Sequence, residues 1–587
     1  MILFYDFEVF PHDWLVVFNF PSERREEVIV NDRKKLRAFY EEHKGDIWVG
    51  FNSNHYDRYI LEAIFLGNID VYELSRFIIP ETAEEKRQRP QAWQFDSRLG
   101  KLIFNSYDIK SNIDRSLKYF EASMGNSIEE SSVSFNKPSK LTDAEIEETI
   151  KYCKHDVEQT ICVFMERYSD FEAQMGLLKM FNLPLSDISK TKVQLSAKIL
   201  GASKKFYDDE FEIDFPPTMR IKKYQEVIEW YKNPNNMDYF VNPCTIQVAG
   251  ITCVFGWGGV HGAPVHTYRE DGYFVNMDVA SLYPSLMIEY NLLSRSCHPQ
   301  KFKDIVNLRL KYKAEKNPLQ KPLKIVINGT YGASKDKNNP LYDPRQANRV
   351  CVYGQLLLLD LMEHLEPWCD IVQCNTDGVL VKLRATNEKD ANREYQRIDD
   401  IAYEWEQRTH LNLEFDEYKR VIQKDVNNYI IVAPDGHLKT KGAYVKKVGN
   451  LDYDLAIVNK AVVDYLAYDI PVKKTINESA LLKDFQLTKR ITEKYDGFIL
   501  NGSVYKLKTA RCFASKNEND YKLHKYKHVN GEFRESKVEN TPTHCRLVNG
   551  DINGLPVPDW LDRQWYINLA EKRINEFRDG TNKFITE

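Results

Sequence analysis

Apolar and polar positions along the first ~190 residues follow two alternating rhythms. Short β-rich runs, ILFYDFEVF from Ile2, WLVVFNF from Trp14 and IWVGFN from Ile47, read as strands. Between and after them, DRYILEAIF from Asp57 and DAEIEETIKYCKHDVEQTICVFMERY from Asp143 carry helical spacing, an α/β pattern. Polar stretches with Pro and Asn at 182–187 and 231–239 predict connections. From ~250 come a glycine-rich segment, FGWGGVHGAP, the strand FVNMDVA (274–280) and helical runs at 301–316 and 319–332. A further helix, VCVYGQLLLLDLMEHLEPW (350–368), leads into QCNTDGVLVKL (373–383), whose NTDG turn predicts a β-hairpin. Beyond ~450 the pattern mixes helical pieces with polar loops and shows no catalytic cluster.

At 587 residues the chain has room for roughly four domains. Hydrophobic content of 43% and charged content of 28% are those of an ordinary globular protein. The longest apolar run, LLLLDLM (356–362), is far too short to span a bilayer, and the N-terminus lacks a signal-peptide pattern. Ten scattered cysteines without a CxxC pair argue against a zinc ribbon or disulfide scaffold, so a cytoplasmic location is expected. Net charge is −5, with a pI near 6.3. That balance does not advertise nucleic-acid binding, but a local basic stripe suffices for phosphate contacts.

Asp377 in the NTDG turn has an ordinary explanation, since Asp caps backbone N–H groups in turns. Asp278, ending a strand before a helix, could likewise be an N-cap. The run Asp278 to Ser285, DVASLYPS, alters both readings. It resembles motif A (DxxSLYPS) of the family B DNA polymerases, and KIVINGTYG (324–332) resembles motif B (KxxxNSxYG), with Gly329 where Ser is usual. QCNTDGVLV then falls where motif C, commonly DTD, belongs, with Asn375 in place of its first Asp. The resemblance implies that Asp278 and Asp377 hold two Mg²⁺ ions, with Mn²⁺ as an alternative, for in-line nucleotidyl transfer to a primer 3′-hydroxyl. It further implies that Arg309, Lys313 and Lys324 grip the triphosphate. Asn328 and Tyr331 would lie against the nascent base pair and Tyr283 beneath the incoming sugar, where it would exclude a 2′-hydroxyl; Ser281 would be a further substrate-binding residue. KTKGAY (439–444) resembles the family's KxKG element, so Lys439 and Lys441 would hold primer phosphates; FGWGGVHG sits where the family has YxGG. By the residues alone, an i,i+4 pair such as Arg309 and Lys313 is more often a solvated face.

FYDFEVF puts Asp6 and Glu8 on one face of a strand, costly if buried without purpose. With Asn52 and Asp57 of NSNHYD, and Tyr152 and Asp156 of YCKHD, they resemble the three motifs of the DEDD 3′→5′ exonucleases. Asp6, Glu8, Asp57 and Asp156 would hold two metals and Tyr152 would orient the attacking water.

The expected fold class is therefore multi-domain α/β: an RNase H-like exonuclease domain (1–190) before a right-hand polymerase. Its expected parts are a connection and first palm segment (191–295), fingers (296–332), second palm segment (333–450), and thumb with the C-terminal region (451–587). The absence of a preceding domain resembles the compact bacteriophage members. The short intervals 286–323 and 333–374 leave little room for the insertions of protein-primed members, so no terminal protein is expected. Primer–template DNA and dNTPs are the expected partners, replisome accessory proteins further candidates, and a membrane none. Two other readings compete: an exonuclease whose polymerase half only holds DNA, and a non-catalytic clamp-like module.

Overall fold

The computed structural model describes residues 1–79, 90–110, 115–492, 494–529 and 531–579. The chain is a mixed α/β protein dividing into two compact units. Unit 1 comprises residues 1–191, 448–456 and 479–565; unit 2 comprises 192–447, 457–478 and 566–587. Among the described residues no helix is long and apolar enough to cross a membrane.

Unit 1 is built on a five-stranded sheet of β1 (Ile2–Val9), β2 (Trp14–Phe20), β3 (Arg25–Val30), β4 (Ile47–Gly50) and β5 (Asn105–Asp108), in the order β3-β2-β1-β4-β5. β1, β2 and β3 are antiparallel, whereas β4 and β5 run parallel to β1. Alternate residues of β1 enter an aromatic core in which Tyr5, Phe18, Phe39 and Trp48 pack edge-to-face or stacked. The other face of β1 carries Asp6 and Glu8 towards the long helix Asp143–Glu166. That helix starts where the sequence places it, at a capping box in which Thr142 and Glu145 satisfy each other's backbone N–H.

Residues 479–565 add two small antiparallel sheets to unit 1. One consists of Leu487–Arg490, Thr509–Ala514 and Cys545–Leu547; the other of Ser503–Tyr505, Gly497–Leu500, His524–Val529 and Glu532–Lys537. Backbone bonds from Ile128 to Asn549 (2.8 Å) and from Ile552 to Gly125 (2.9 Å) tie this segment to the first 191 residues. The block expected at 451–587 is thus divided between the units.

Unit 2 centres on a nine-stranded sheet ordered β14-β13-β12-β9-β11-β10-β8-β7-β6. Its strands are β6 (Cys244–Val248), β7 (Ile251–Phe255), β8 (His261–Ala263), β9 (Tyr268–Val279), β10 (Asp370–Asn375), β11 (Gly378–Lys382), β12 (Leu413–Asp425), β13 (Asn428–Val432) and β14 (Leu438–Lys441). The helix Pro344–Leu365 packs on β10 and β11, and its leucines 356–359 are fully buried. Two helices in contact, Pro299–Ala314 and Gln320–Lys335, follow the short helix Leu282–Glu289.

Candidate active sites

In unit 1 the fold gathers four acidic side chains from three elements. Asp6 and Glu8 come from β1, Asp57 opens the helix Asp57–Leu66, and Asp156 lies on Asp143–Glu166. The Asp57 carboxylate accepts the Phe7 N–H at 3.0 Å, which holds it beside β1. Burial, then mutual repulsion, pushes the Asp6 carboxyl up, and the same causes act on Glu8. Asp57 is pushed up to about 7, mainly by burial. Asp156 is raised by burial against the pull of Lys118, whose ammonium sits 2.5 Å from it. Tyr152, one turn before Asp156, lies under the Lys118 ammonium, 4.7 Å from its ring centroid. Four converging carboxylates with one lysine between them form a hard-oxygen set short of positive charge, a donor set that suits divalent ions of the Mg²⁺ type. Ligand atoms of Asp6, Glu8 and Cys153 lie within 4.8 Å of one another. The Cys153 thiol is pushed up by burial and donates to the Asp6 carbonyl at 3.4 Å, so the oxygens remain the ligands.

Asn52 lies on the loop before Asp57. It adopts a left-handed backbone (φ 65°), its N–H donates to Asp108 at 2.9 Å, and its side-chain oxygen accepts from Lys110 at 3.3 Å.

In unit 2, β9 and β11 pair so that Gly378 lies opposite Asp278, and the Val279 N–H donates to the Asp377 carbonyl at 2.7 Å. The two aspartates expected to act together are therefore neighbours, although 99 positions separate them in sequence. Gly378 is required here, because a Cβ would stand 2.0 Å from the Asp278 carboxylate oxygen. Burial and the Asp278 charge raise the Asp377 carboxyl, while Lys439 and Lys441 on β14 oppose the rise. Lys439 reaches Asp278 at 3.5 Å, an ammonium already drawn to the paired carboxylates. The pair thus fits a cationic ligand.

Asn375 lies opposite Gly378 of β11, and its side-chain amide oxygen accepts the Thr376 N–H at 3.0 Å. The glycine-rich segment leaves space for this turn: a Cβ at Gly259 would meet the Thr376 hydroxyl at 2.5 Å.

No protein-family model matches the chain. Over 132 residues it is 28% identical to DNA polymerase 1 of Sulfolobus acidocaldarius, a match spanning 22% of this chain and 14% of that protein. Superposed on the family B DNA polymerase of Pyrobaculum calidifontis, it covers 98% of this chain and 77% of that one at 15% identity, with a TM-score of 0.38. A superposition at that score does not define a common fold.

The remaining expected residues of unit 2 divide by environment. Lys324, Asn328 and Tyr331 share one face of Gln320–Lys335, the first two exposed. On the neighbouring helix, Arg309 is half-buried, and its buried Nε has no hydrogen-bond partner among the described residues. Lys313 instead pairs with Glu414 at 3.7 Å, both exposed, a contact of little energy. Ser281 is the left-handed N-cap (φ 52°) of Leu282–Glu289, the helix that carries Tyr283. The Tyr283 and Tyr331 rings meet with centroids 4.4 Å apart. Gly329 is explained by packing: its Cβ would meet the Ser196 hydroxyl, on the helix Lys192–Leu200, at 2.5 Å.

Sequence reasoning missed Lys118 and Asp108. Asp108, itself buried, accepts the N–H groups of Asn52, Asn54 and Lys110 and so shapes the loop before Asp57. Neither residue lies in the quoted motifs. The available signal was a lone Asp ending a strand and a lone Lys on a helix, both ordinary in sequence.

Proposed function

We propose that the chain is a DNA-templated DNA polymerase that extends a primer 3′-hydroxyl with dNTPs, and that unit 1 is a 3′→5′ exonuclease acting on the same strand end. The observation that carries this reading is the juxtaposition of Asp278 and Asp377 by the β9–β11 register. The order of the three motifs supports it, as does the local similarity to an archaeal DNA polymerase.

Asp278 and Asp377 would hold two divalent ions, and Asp6, Glu8, Asp57 and Asp156 another two. Such ions stabilise the attacking and leaving oxygens of an in-line displacement at phosphorus. The chain's own groups do the rest. Arg309 and Lys324 bind the triphosphate, and the planar guanidinium suits its paired oxygens. Asn328 and Tyr331 face the nascent base pair and Tyr283 lies beneath the sugar. The 3′-oxygen bonds to the α-phosphorus as the bond to the bridging oxygen breaks and pyrophosphate leaves. In unit 1, Tyr152, packed under the Lys118 ammonium, orients the water that attacks the terminal phosphodiester. Lys439 and Lys441 would position the duplex through phosphates, without reading sequence.

The test is a 5′-labelled primer on a longer DNA template, incubated with Mg²⁺ and with or without the four dNTPs. Extension with dNTPs and stepwise shortening without them is the expected result. Shortening in both lanes would leave an exonuclease with a DNA-holding platform, and no change in either lane would sink the enzymatic reading.

A further inference from the structure

Behind the tyrosine pair of unit 2 lies a buried thiol that no sequence motif includes. Cys351 is on the helix Pro344–Leu365 and is 1% exposed. Its sulfur stands 2.7 Å from the Tyr331 hydroxyl, 4.0 Å from the Tyr283 hydroxyl and 3.8 Å from the Lys335 ammonium. Lys335 is itself fixed, reaching the Trp257 carbonyl at 3.5 Å and lying 5.3 Å from the Tyr331 ring centroid. One turn further along the same helix, Gly354 admits the helix bearing Tyr283: a Cβ there would lie 3.3 Å from a Leu282 methyl. Cys351 thus meets both tyrosine hydroxyls, while Gly354 receives Leu282 of the helix that carries Tyr283.

The consequence is mechanical. A tyrosine ring pivots about its Cα–Cβ and Cβ–Cγ bonds, and its hydroxyl is the far end of the lever. When both hydroxyls converge on one side chain, the size and polarity of that side chain set where the ring edges stop. We propose that Cys351 is a positioning residue for sugar discrimination: by seating the Tyr283 and Tyr331 hydroxyls it fixes the height of the floor on which the incoming nucleotide's sugar rests. This inference rests on the polymerase reading. Closely packed interiors transmit such a change, because there is little free volume to absorb it.

The test is single-nucleotide incorporation by the full chain opposite a template dG, with kcat and KM measured for dCTP and for CTP. In Cys351→Ala the Tyr331 hydroxyl loses its partner and the floor drops. The ratio of CTP to dCTP efficiency then rises about tenfold or more, the scale on which pockets resolve small groups. Cys351→Ser, which keeps a hydrogen-bonding atom at nearly the same place, moves the ratio back towards the wild-type value. Cys351→Leu does the opposite of alanine, raising KM for dCTP as the rings are pushed outward. A Cys351→Ala enzyme with the wild-type ratio overturns the proposal, including one that loses kcat for both nucleotides alike, since a merely structural role acts on both. If thermal melting shows Cys351→Ala unfolded, Tyr331→Phe removes the same contact from the other side and must raise the ratio; an unchanged ratio is equally fatal. A wild-type chain that incorporates neither nucleotide overturns the polymerase reading first and this inference with it.

Discussion

Gly378 makes the two-aspartate arrangement possible, because its missing side chain is the space in which the Asp278 carboxylate sits. Gly378→Ala therefore displaces that carboxylate by more than a few tenths of an ångström. Extension should fall about a hundredfold, the cost of misplacing a reacting group by about 1 Å, with exonuclease activity retained. Extension at the wild-type rate would mean that Asp278 does no work there. Asn375 predicts the reverse. Its side-chain oxygen accepts the Thr376 N–H, a bond that a carboxylate oxygen also accepts, so Asn375→Asp is tolerated; a loss of about a hundredfold in primer extension contradicts this assignment. Asp57 predicts a pH effect. Its carboxyl titrates near 7 in the folded chain, above the usual value of about 3.9 in an unfolded one. The folded state then holds the extra proton, so this contribution to stability is complete below about pH 4 and is lost as pH rises through about 7. In chelator, Asp57→Asn should gain melting temperature relative to wild type as pH increases over that window. A constant difference would show that Asp57 is ionised throughout. Neither Gly378 nor the raised Asp57 was legible from residue type. Motif spacing in the sequence singles out Asp278, Asp377 and the four acidic residues of unit 1 as candidates, whereas a Cβ clash and desolvation depend on neighbours distant in the chain.

At the scale of elements, strands and helices with strong periodicity were read closely. The hairpin expected around 373–383 is β10–β11, and the helices expected at 301–316 and 319–332 run Pro299–Ala314 and Gln320–Lys335. The helix expected to open at Val350 starts earlier, at Pro344, because Asp343 caps it and proline suits the first turn. The helix Lys192–Leu200 was not anticipated, yet it explains Gly329. With Ser196 against it, Gly329→Ser overpacks the crossing and should cost about 1–3 kcal/mol in thermal or urea melts. Adding Ser196→Gly should recover part of that loss; no recovery would show that the crossing does not require glycine. The β-rich part of 479–565 was missed for a physical reason. Its strands are short, and Glu532–Lys537 is exposed at every position, leaving no apolar alternation to read.

For the whole molecule, each candidate site is complete within one unit: the four carboxylates with Tyr152 and Lys118 in unit 1, the Asp278–Asp377 pair and its cations in unit 2. The sequence order of motifs suggested this separation, but not that 479–565 joins unit 1 and that the last helix, Arg563–Arg578, lies mostly in unit 2. Those assignments depend on contacts between distant segments, such as Arg511 with the Asn126 carbonyl. Two self-contained sites predict two separable activities. The most direct measurement is the labelled-primer assay run side by side on wild type, Asp377→Asn and Asp57→Asn, with binding to the primer–template checked for each. The account predicts that Asp377→Asn loses extension and keeps shortening, while Asp57→Asn loses shortening and keeps extension. Extension surviving in Asp377→Asn, or both activities lost together in either folded variant, would contradict it.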